Sequence, residues 1–371
     1  MLLVRLMRQY WLLTPGPVNT TETVRNAAVE VDLCHREPEY GDLMTRVRRK
    51  LLDVAGVSPD KFRAALITGS GTSAMELGVS SIVRQGRKLL VVQNGVYGDR
   101  IDRMAELHGI ERRELHTAWT ERPDLAEIDA ALSEDASIDA VALVHHETTT
   151  GLLNPVREVG ALCRKHERLF FVDSVSGFGG EEIDLDDSGV DIMACTANKC
   201  LHGLPGCAFV IVSRRAEQHF AEVPARSLYF DITLYLREQE RGTIPFTPCI
   251  NATLALDKAL DELVERGGIA GRIAEYKERS TFLRREMRAL GLEIYLDEAL
   301  LSNTITTFRL PKGVTYEALH GALKEDGFVI YAGQGRLHTE IFRVCNIGEM
   351  PMGAYRDFVA SLARFLKTRA S

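Results

Sequence analysis

Short apolar runs recur along the first part of the chain, at 64–67, 89–92, 140–144, 169–172, 192–195 and 207–212. Between them lie stretches whose apolar residues repeat with helical spacing, at 73–83, 100–107, 125–132 and 156–165. An unbroken apolar run suits a strand buried on both faces, and helices between such runs supply the crossovers of a parallel sheet. The pattern therefore predicts an α/β fold with a mostly parallel sheet covered by helices on both sides. The last run follows its predecessor through a short Gly/Pro loop, which predicts one antiparallel strand.

After 243–248 the texture changes. Residues 251–266 and 273–290 read as long amphipathic helices, with shorter strand candidates at 304–310, 328–331 and 341–345 and a final helix at 355–367. This alternation predicts a smaller α+β domain over 262–371 behind a large domain at 21–261. The segment 1–20 is expected to pack with the small domain.

Composition narrows the class. Of 371 residues, 45% are apolar and 26% charged, as in ordinary globular proteins. The net charge of −7 offers no basic face to a phosphate backbone, so nucleic acid is not an expected partner. No apolar run approaches the roughly 20 residues that span a bilayer, so no membrane partner is expected either. The apolar N-terminus is interrupted by Arg5, Arg8 and Gln9 and has no small-residue cleavage site, so it reads as part of the fold. The seven cysteines are odd in number and form no CxxC pair, a pattern of reduced thiols in a cytoplasmic protein.

Chemistry gathers where predicted strands end, the edge at which open α/β sheets bind ligands. In ITGSGTSAME, 67–76, a strand meets a glycine loop and a helix, whose free N–H groups and dipole favour an anion. Neither GK[ST] nor GxGxxG is present, so a nucleotide loop is not indicated. In LFFVDSVSGFGG, 169–180, Asp173 follows four apolar residues, where a carboxylate can hold a ring nitrogen protonated. The adjacent His145 and His146 of VHHETTTG would point to opposite faces of a strand, so they form no metal face, and no metal site is expected. In DIMACTANKCLHGLPGCAFVIVS, 191–213, Lys199 stands between two apolar runs. An unpaired ammonium there is costly, so the lysine should be paired, neutralised or chemically used. Anion cradle, carboxylate and lysine, in that order, describe a pyridoxal 5′-phosphate site.

TPGPVNTT, GSGTSAME, NGVYGDR, HETTTGLLNPV, VDSVSGFGG and ANKCLHGLPGCAFVIVSR together resemble the class V, fold-type I aminotransferases across nearly the whole chain. The resemblance implies a seven-stranded, mostly parallel sheet, pyridoxal 5′-phosphate as cofactor, and a homodimer with shared active sites. It places Lys199 as the lysine that links to the cofactor and Asp173 as the partner of its ring nitrogen. Ser70, Gly71 and Thr72 match the phosphate cradle, with Asn198 as a further contact. Tyr97 matches the stacking aromatic residue, Val175 the opposite ring face, and Thr148 the neighbour of the ring hydroxyl. Thr247 matches a residue reaching the phosphate of the neighbouring subunit. Arg343 matches the arginine that grips the substrate's anionic end, a task its two-pronged guanidinium suits. In the Cys34-His35-Arg36-Glu37 stretch, where the chain departs from the pattern, Arg36 could add a second anion contact.

ETTTGLLNP, the ANKC stretch, SLYFD at 227–231 and FRVCNIGE near 345 are most similar to the branch of that class with 2-aminoethylphosphonate as amine donor and pyruvate as the 2-oxo acid acceptor. Serine–pyruvate or alanine–glyoxylate transamination, or a related phosphonate amine, is the alternative. A desulfurase on this fold would need a nucleophilic cysteine on a mobile loop, and Cys345 reads as part of a strand.

Overall fold

The computed structural model describes residues 9–370, so the first eight residues of the N-terminal segment, with Arg5 and Arg8, lie outside the described residues. Seven strands form the central sheet: β1 (Phe62–Gly69), β2 (Lys88–Gln93), β3 (Glu111–His116), β4 (Ile138–Val144), β5 (Leu169–Asp173), β6 (Ile192–Thr196) and β7 (Gly206–Ser213). Their spatial order is β1-β7-β6-β5-β4-β2-β3. Strand β7 runs antiparallel to both β1 and β6, as its short preceding loop predicts, and the other neighbours are parallel.

The apolar runs account for six of these strands. The seventh, β3, reads ERRELH with Leu115 as its one apolar residue. It pairs only with β2 at the sheet's edge, so most of its side chains meet solvent and nothing selects an apolar run.

Both faces of the sheet are covered. Leu66, Leu90, Phe170, Met193 and Phe209 pack against helices Pro38–Val54, Val156–Lys165 and Ile250–Glu265. Ile67, Val91, Phe171 and Val210 pack against α1 (Gly71–Ile82) and α2 (Val96–Leu107) on the other side. Each such side chain, fully buried, stabilises the fold by roughly 1.5–3 kcal/mol. Helix Pro38–Val54 is absent from the pattern reading, although Leu43, Val47 and Leu51 give it an apolar stripe and Pro38 suits a first helical turn.

The smaller C-terminal sheet consists of β8 (Ile305–Arg309), β9 (Tyr331–Ala332) and β10 (Ile341–Cys345), antiparallel in the order β8-β10-β9. Helices α3 (Gly268–Ala289) and α4 (Met352–Ala370) help to cover it. The run at 328–331 proves to be two pieces. Phe328–Val329 pairs in parallel with Trp11–Leu12, and Tyr331 pairs with Arg343 of β10. Leu13 extends this tie, donating its N–H to the Val329 carbonyl (2.8 Å) and accepting from Cys345 N–H (3.1 Å). Thr14-Pro15-Gly16 is thereby carried to the mouth of the large sheet. Among the described residues no helix is long and apolar enough to cross a membrane.

Candidate active site

Strand β1 ends at Gly69, and α1 begins one residue after Ser70. Ser70 has the extended backbone of a helix cap, but its side chain caps nothing, and its carbonyl accepts from Ser73 N–H at 2.8 Å. The N–H groups of Gly71 and Thr72 have no partner among the described residues, which leaves the positive end of the helix open to an anion. Gly71 is required by packing, since a Cβ there would lie 2.5 Å from Val175 Cγ1. Val175 thus presses on the cradle from the loop after β5.

Asp173 closes β5, only 3% exposed. Its Oδ1 accepts from Val175 N–H at 2.9 Å, and its Oδ2 has no partner among the described residues. Burial pushes its pKa up to about 6, against the pull of that hydrogen bond and of the cations Arg100 and Lys199. At neutral pH it therefore remains mostly a carboxylate with one bare oxygen.

Lys199 follows β6 in the Ala197-Asn198 turn, and its Nζ donates to the carbonyl of Pro15. Burial lowers its pKa, opposed by Cys345, Cys200 and Asp173 and reinforced by Arg343. A depressed ammonium is more often the free amine, the form that acts as nucleophile and base. Asn198 beside it accepts from Thr196 Oγ1 at 2.8 Å, and its NH₂ has no partner among the described residues.

Arg343 on β10 is 3% exposed and reaches from the C-terminal sheet to this mouth. Its Nε donates to the Ala332 carbonyl (2.9 Å), and its Nη1 to the Thr148 carbonyl (2.9 Å) and to Gln334 Oε1 (3.3 Å). Nη2 has no partner among the described residues. Thr148 also donates its hydroxyl to Ser176 Oγ at 2.8 Å, so this residue ties Arg343 to the loop after β5.

Tyr97 opens α2, and its ring carries the Arg100 guanidinium 4.6 Å from its centroid. Arg100 Nη1 in turn donates to Thr72 Oγ1 at 3.2 Å, linking the aromatic residue to the cradle. The helix start is held by a buried acid. Glu147 Oε2 accepts from Tyr97 N–H (3.3 Å), and Thr149 Oγ1 accepts from Val96 N–H (3.1 Å). Burial pushes Glu147 up to about 7, although Thr149 and Tyr97 donate to it. Arg100, Glu147, Gln334 and Pro15 escape the sequence reading. Each lies far along the chain from Lys199 and is brought in only by tertiary packing, although TPGPVNTT, NGVYGDR and HETTTGLLNPV contain all of them but Gln334.

Two sequence candidates stand apart. Arg36 is exposed in a surface groove of about 360 Å³ with His35, Glu37 and Thr243; its Nη1 donates to the Ile244 carbonyl at 3.4 Å, and no hydrogen bond among the described residues joins it to Arg343 or Lys199. Thr247 is likewise exposed, without a partner among the described residues. His145 and His146 do turn to different partners, Ser174 Oγ (2.9 Å) and the Ser176 carbonyl (3.2 Å), and burial pulls them down to about 3 and about 4, so both stay neutral. Cys345 is buried in β10 with its thiol pushed up to about 12, unsuited to a nucleophile on a mobile loop.

Unpaired N–H groups at a helix start, a bare Asp173 oxygen and the Lys199 amine on one sheet edge fit pyridoxal 5′-phosphate, whose phosphate, ring nitrogen and aldehyde require those three groups.

The family model described as Aminotransferase class-V matches residues 20–345. The chain is 38% identical over 344 residues to a 2-aminoethylphosphonate–pyruvate transaminase of Bacillus cytotoxicus, covering 92% of this chain and 93% of the relative. It is 39% identical over 350 residues to the protein of that name in Salmonella paratyphi B, covering 92% and 94%. Among solved structures it is similar to an alanine–glyoxylate aminotransferase from Nostoc sp., with a TM-score of 0.91 and 28% identity over 97% of this chain and 96% of that one.

Proposed function

The chain belongs to the class-V aminotransferases, and on that footing we propose that it moves the amino group of 2-aminoethylphosphonate to pyruvate, releasing phosphonoacetaldehyde and alanine. The observation that carries the substrate class is Arg343, a buried guanidinium in the electrostatic field of Lys199 with Nη2 left unpaired. A buried, partly satisfied cation beside a reactive amine calls for an anionic substrate. Both the donor's phosphonate and the acceptor's carboxylate meet that demand.

Pyridoxal 5′-phosphate, when bound, supplies a ring that takes up the electron pair of the donor's C–H bond. The chain's own residues do the rest. The N–H groups of Gly71 and Thr72, with the Ser70 hydroxyl and the Asn198 amide, would hold the phosphate. Asp173 Oδ2 would keep the ring nitrogen protonated, Tyr97 and Val175 would flank the ring, and Thr148 would stand near the ring hydroxyl. Lys199 Nζ would form the covalent link to the cofactor's aldehyde and, as a free amine of lowered pKa, would serve as the base that moves a proton at the substrate carbon. The Pro15 carbonyl orients that amine. Arg343 takes the anionic end of each substrate in turn.

A homodimer completes this reading. Thr247, exposed and without a partner among the described residues, would reach the phosphate held by the partner, and Arg36, in the same exposed stretch as Cys34, would be a second anion contact at the shared site. Exposed Val29, Val31 and Leu228 are apolar surface for such an interface. Seven unpaired cysteines favour the cytoplasm as its compartment.

The experiment is a donor panel with pyruvate as acceptor: 2-aminoethylphosphonate, its 1-hydroxy derivative, serine and alanine. The highest kcat/KM is expected for 2-aminoethylphosphonate. A preference for serine or alanine would overturn the substrate assignment while leaving the family intact.

A further inference from the structure

Arg343 has five N–H donors, and the protein already occupies three. Nε is on the Ala332 carbonyl, and both hydrogens of Nη1 are used, one on the Thr148 carbonyl and one on Gln334 Oε1. Only the two hydrogens of Nη2 remain. A two-pronged grip on an anion needs donors from two nitrogens, so one of the existing bonds must open. Two of the three acceptors are backbone carbonyls fixed by the strand β9 and by the ETTTG loop. The third is a side chain, and at 3.3 Å its bond is long.

The loop around Gln334 holds its backbone and frees its carboxamide. Gly333 N–H donates to the Ile341 carbonyl (3.0 Å), and Leu337 N–H to the Gln334 carbonyl (3.0 Å). Arg336 stacks on Trp119 of the large domain, 4.4 Å from the ring centroid. The half-buried Gln334 side chain is hydrogen-bonded to Arg343 and lies near the Tyr97 hydroxyl, on whose pKa it exerts a lowering pull. It therefore spans the mouth between the anion-binding arginine and the aromatic residue.

The two substrates make unequal demands on this place. In pyruvate the carboxylate is attached to the carbon that exchanges nitrogen, is planar, and has two oxygens. In 2-aminoethylphosphonate the phosphorus lies one carbon farther out and carries three oxygens in a tetrahedral array. A fixed guanidinium cannot match both, whereas a carboxamide can change from acceptor to donor by turning. Resting on the function proposed above, we propose that Gln334 is the specificity-determining residue of the anion site. Its carboxamide leaves Nη1 when an anion arrives, and its NH₂ then donates to the third oxygen, which only the phosphonate possesses.

The test uses the cofactor-loaded enzyme and two inert anions, ethylphosphonate and propionate, which cannot enter the reaction. Calorimetric affinities are compared for wild type and Gln334→Met, which keeps the length and loses the hydrogen bonds; Gln334→Ala repeats the test should the apolar side chain disturb the loop. Loss of one hydrogen bond to a charged group should weaken ethylphosphonate about tenfold or more and leave propionate within about twofold. KM should split the same way between 2-aminoethylphosphonate and pyruvate. Equal weakening of both anions would mean that Gln334 merely holds Arg343, and no weakening of either would mean that it does not touch them; each result overturns the proposal. Wild-type turnover of 2-aminoethylphosphonate separates the two levels. If wild type cannot use that amine, the substrate reading falls and this proposal with it; if it can, a failure in the variants overturns this proposal alone.

Discussion

At the scale of single residues, the chain solves one problem repeatedly: it buries a charged or polar group and leaves one of its atoms unpaired. Asp173 spends Oδ1 on Val175 and keeps Oδ2, and Arg343 spends Nε and Nη1 and keeps Nη2. Arg343→Ala should therefore weaken both half-reactions, by roughly 10- to 150-fold each if a charge-assisted contact of about 1.5–3 kcal/mol is lost. Arg343→Lys should recover only part, because an ammonium restores the charge without the fork. Stopped-flow measurement of each half-reaction checks this, and an unchanged rate with 2-aminoethylphosphonate would show that another group binds the phosphonate. Lys199 and Asp173 were legible in the sequence because a charge at the end of an apolar run has few reasons to be there. Gln334 was not. A glutamine in a polar, glycine-rich loop carries no such anomaly, and only the fold sets it against Arg343 and Tyr97.

At the scale of elements, strand ends and helix starts determine where these atoms sit. Helix α2 carries both Tyr97 and Arg100, and its first turn is fastened by Glu147 and Thr149. Gly95 makes that fastening possible, since a Cβ there would lie 2.2 Å from Glu147 Cδ. Gly95→Ala should push the helix start off the site, lowering stability by about 1–3 kcal/mol as overpacking does, and weakening cofactor binding with it. Gly353→Ala, with nothing within 4 Å of the added carbon, is the control and should leave both unchanged or slightly improved. Thermal melts and a cofactor titration read the two effects, and an undisturbed Gly95→Ala would remove the fastening from the account. Buried strands were legible as apolar runs because both of their faces are covered. The edge strand β3 was not, since one partner and open solvent impose no apolar pattern on it. Helix Pro38–Val54 carries a readable stripe in Leu43, Val47 and Leu51, and Pro38 marks its start.

At the scale of the whole molecule, the central sheet and the C-terminal sheet are joined by buried polar ties as well as through the candidate site. Glu181, in the segment between β5 and β6 and 2% exposed, accepts from Asn303 N–H and Asn303 Nδ2, both at 2.6 Å, just before β8. Burial raises its pKa from 4.5 to about 8, while both Asn303 bonds and the cations Arg284 and Lys277 pull the other way. Because the folded value lies above the unfolded one, its contribution to stability is complete below about pH 4.5 and is lost as pH rises through about 8. Glu181→Gln cannot take up this charge, so the Tm of wild type relative to the variant should fall between about pH 4.5 and about pH 8; a flat difference would contradict the assignment. The change from buried runs to charged amphipathic helices is written along the chain, whereas a tie such as Glu181–Asn303 joins residues 122 positions apart. The central claim is that the molecule transfers nitrogen between two anionic substrates, and the most direct measurement follows the nitrogen itself. Purified enzyme with pyridoxal 5′-phosphate, pyruvate and ¹⁵N-labelled 2-aminoethylphosphonate is expected to yield one labelled alanine for each phosphonate consumed. Labelled ammonia in place of labelled alanine, or no transfer of the label at all, would contradict it.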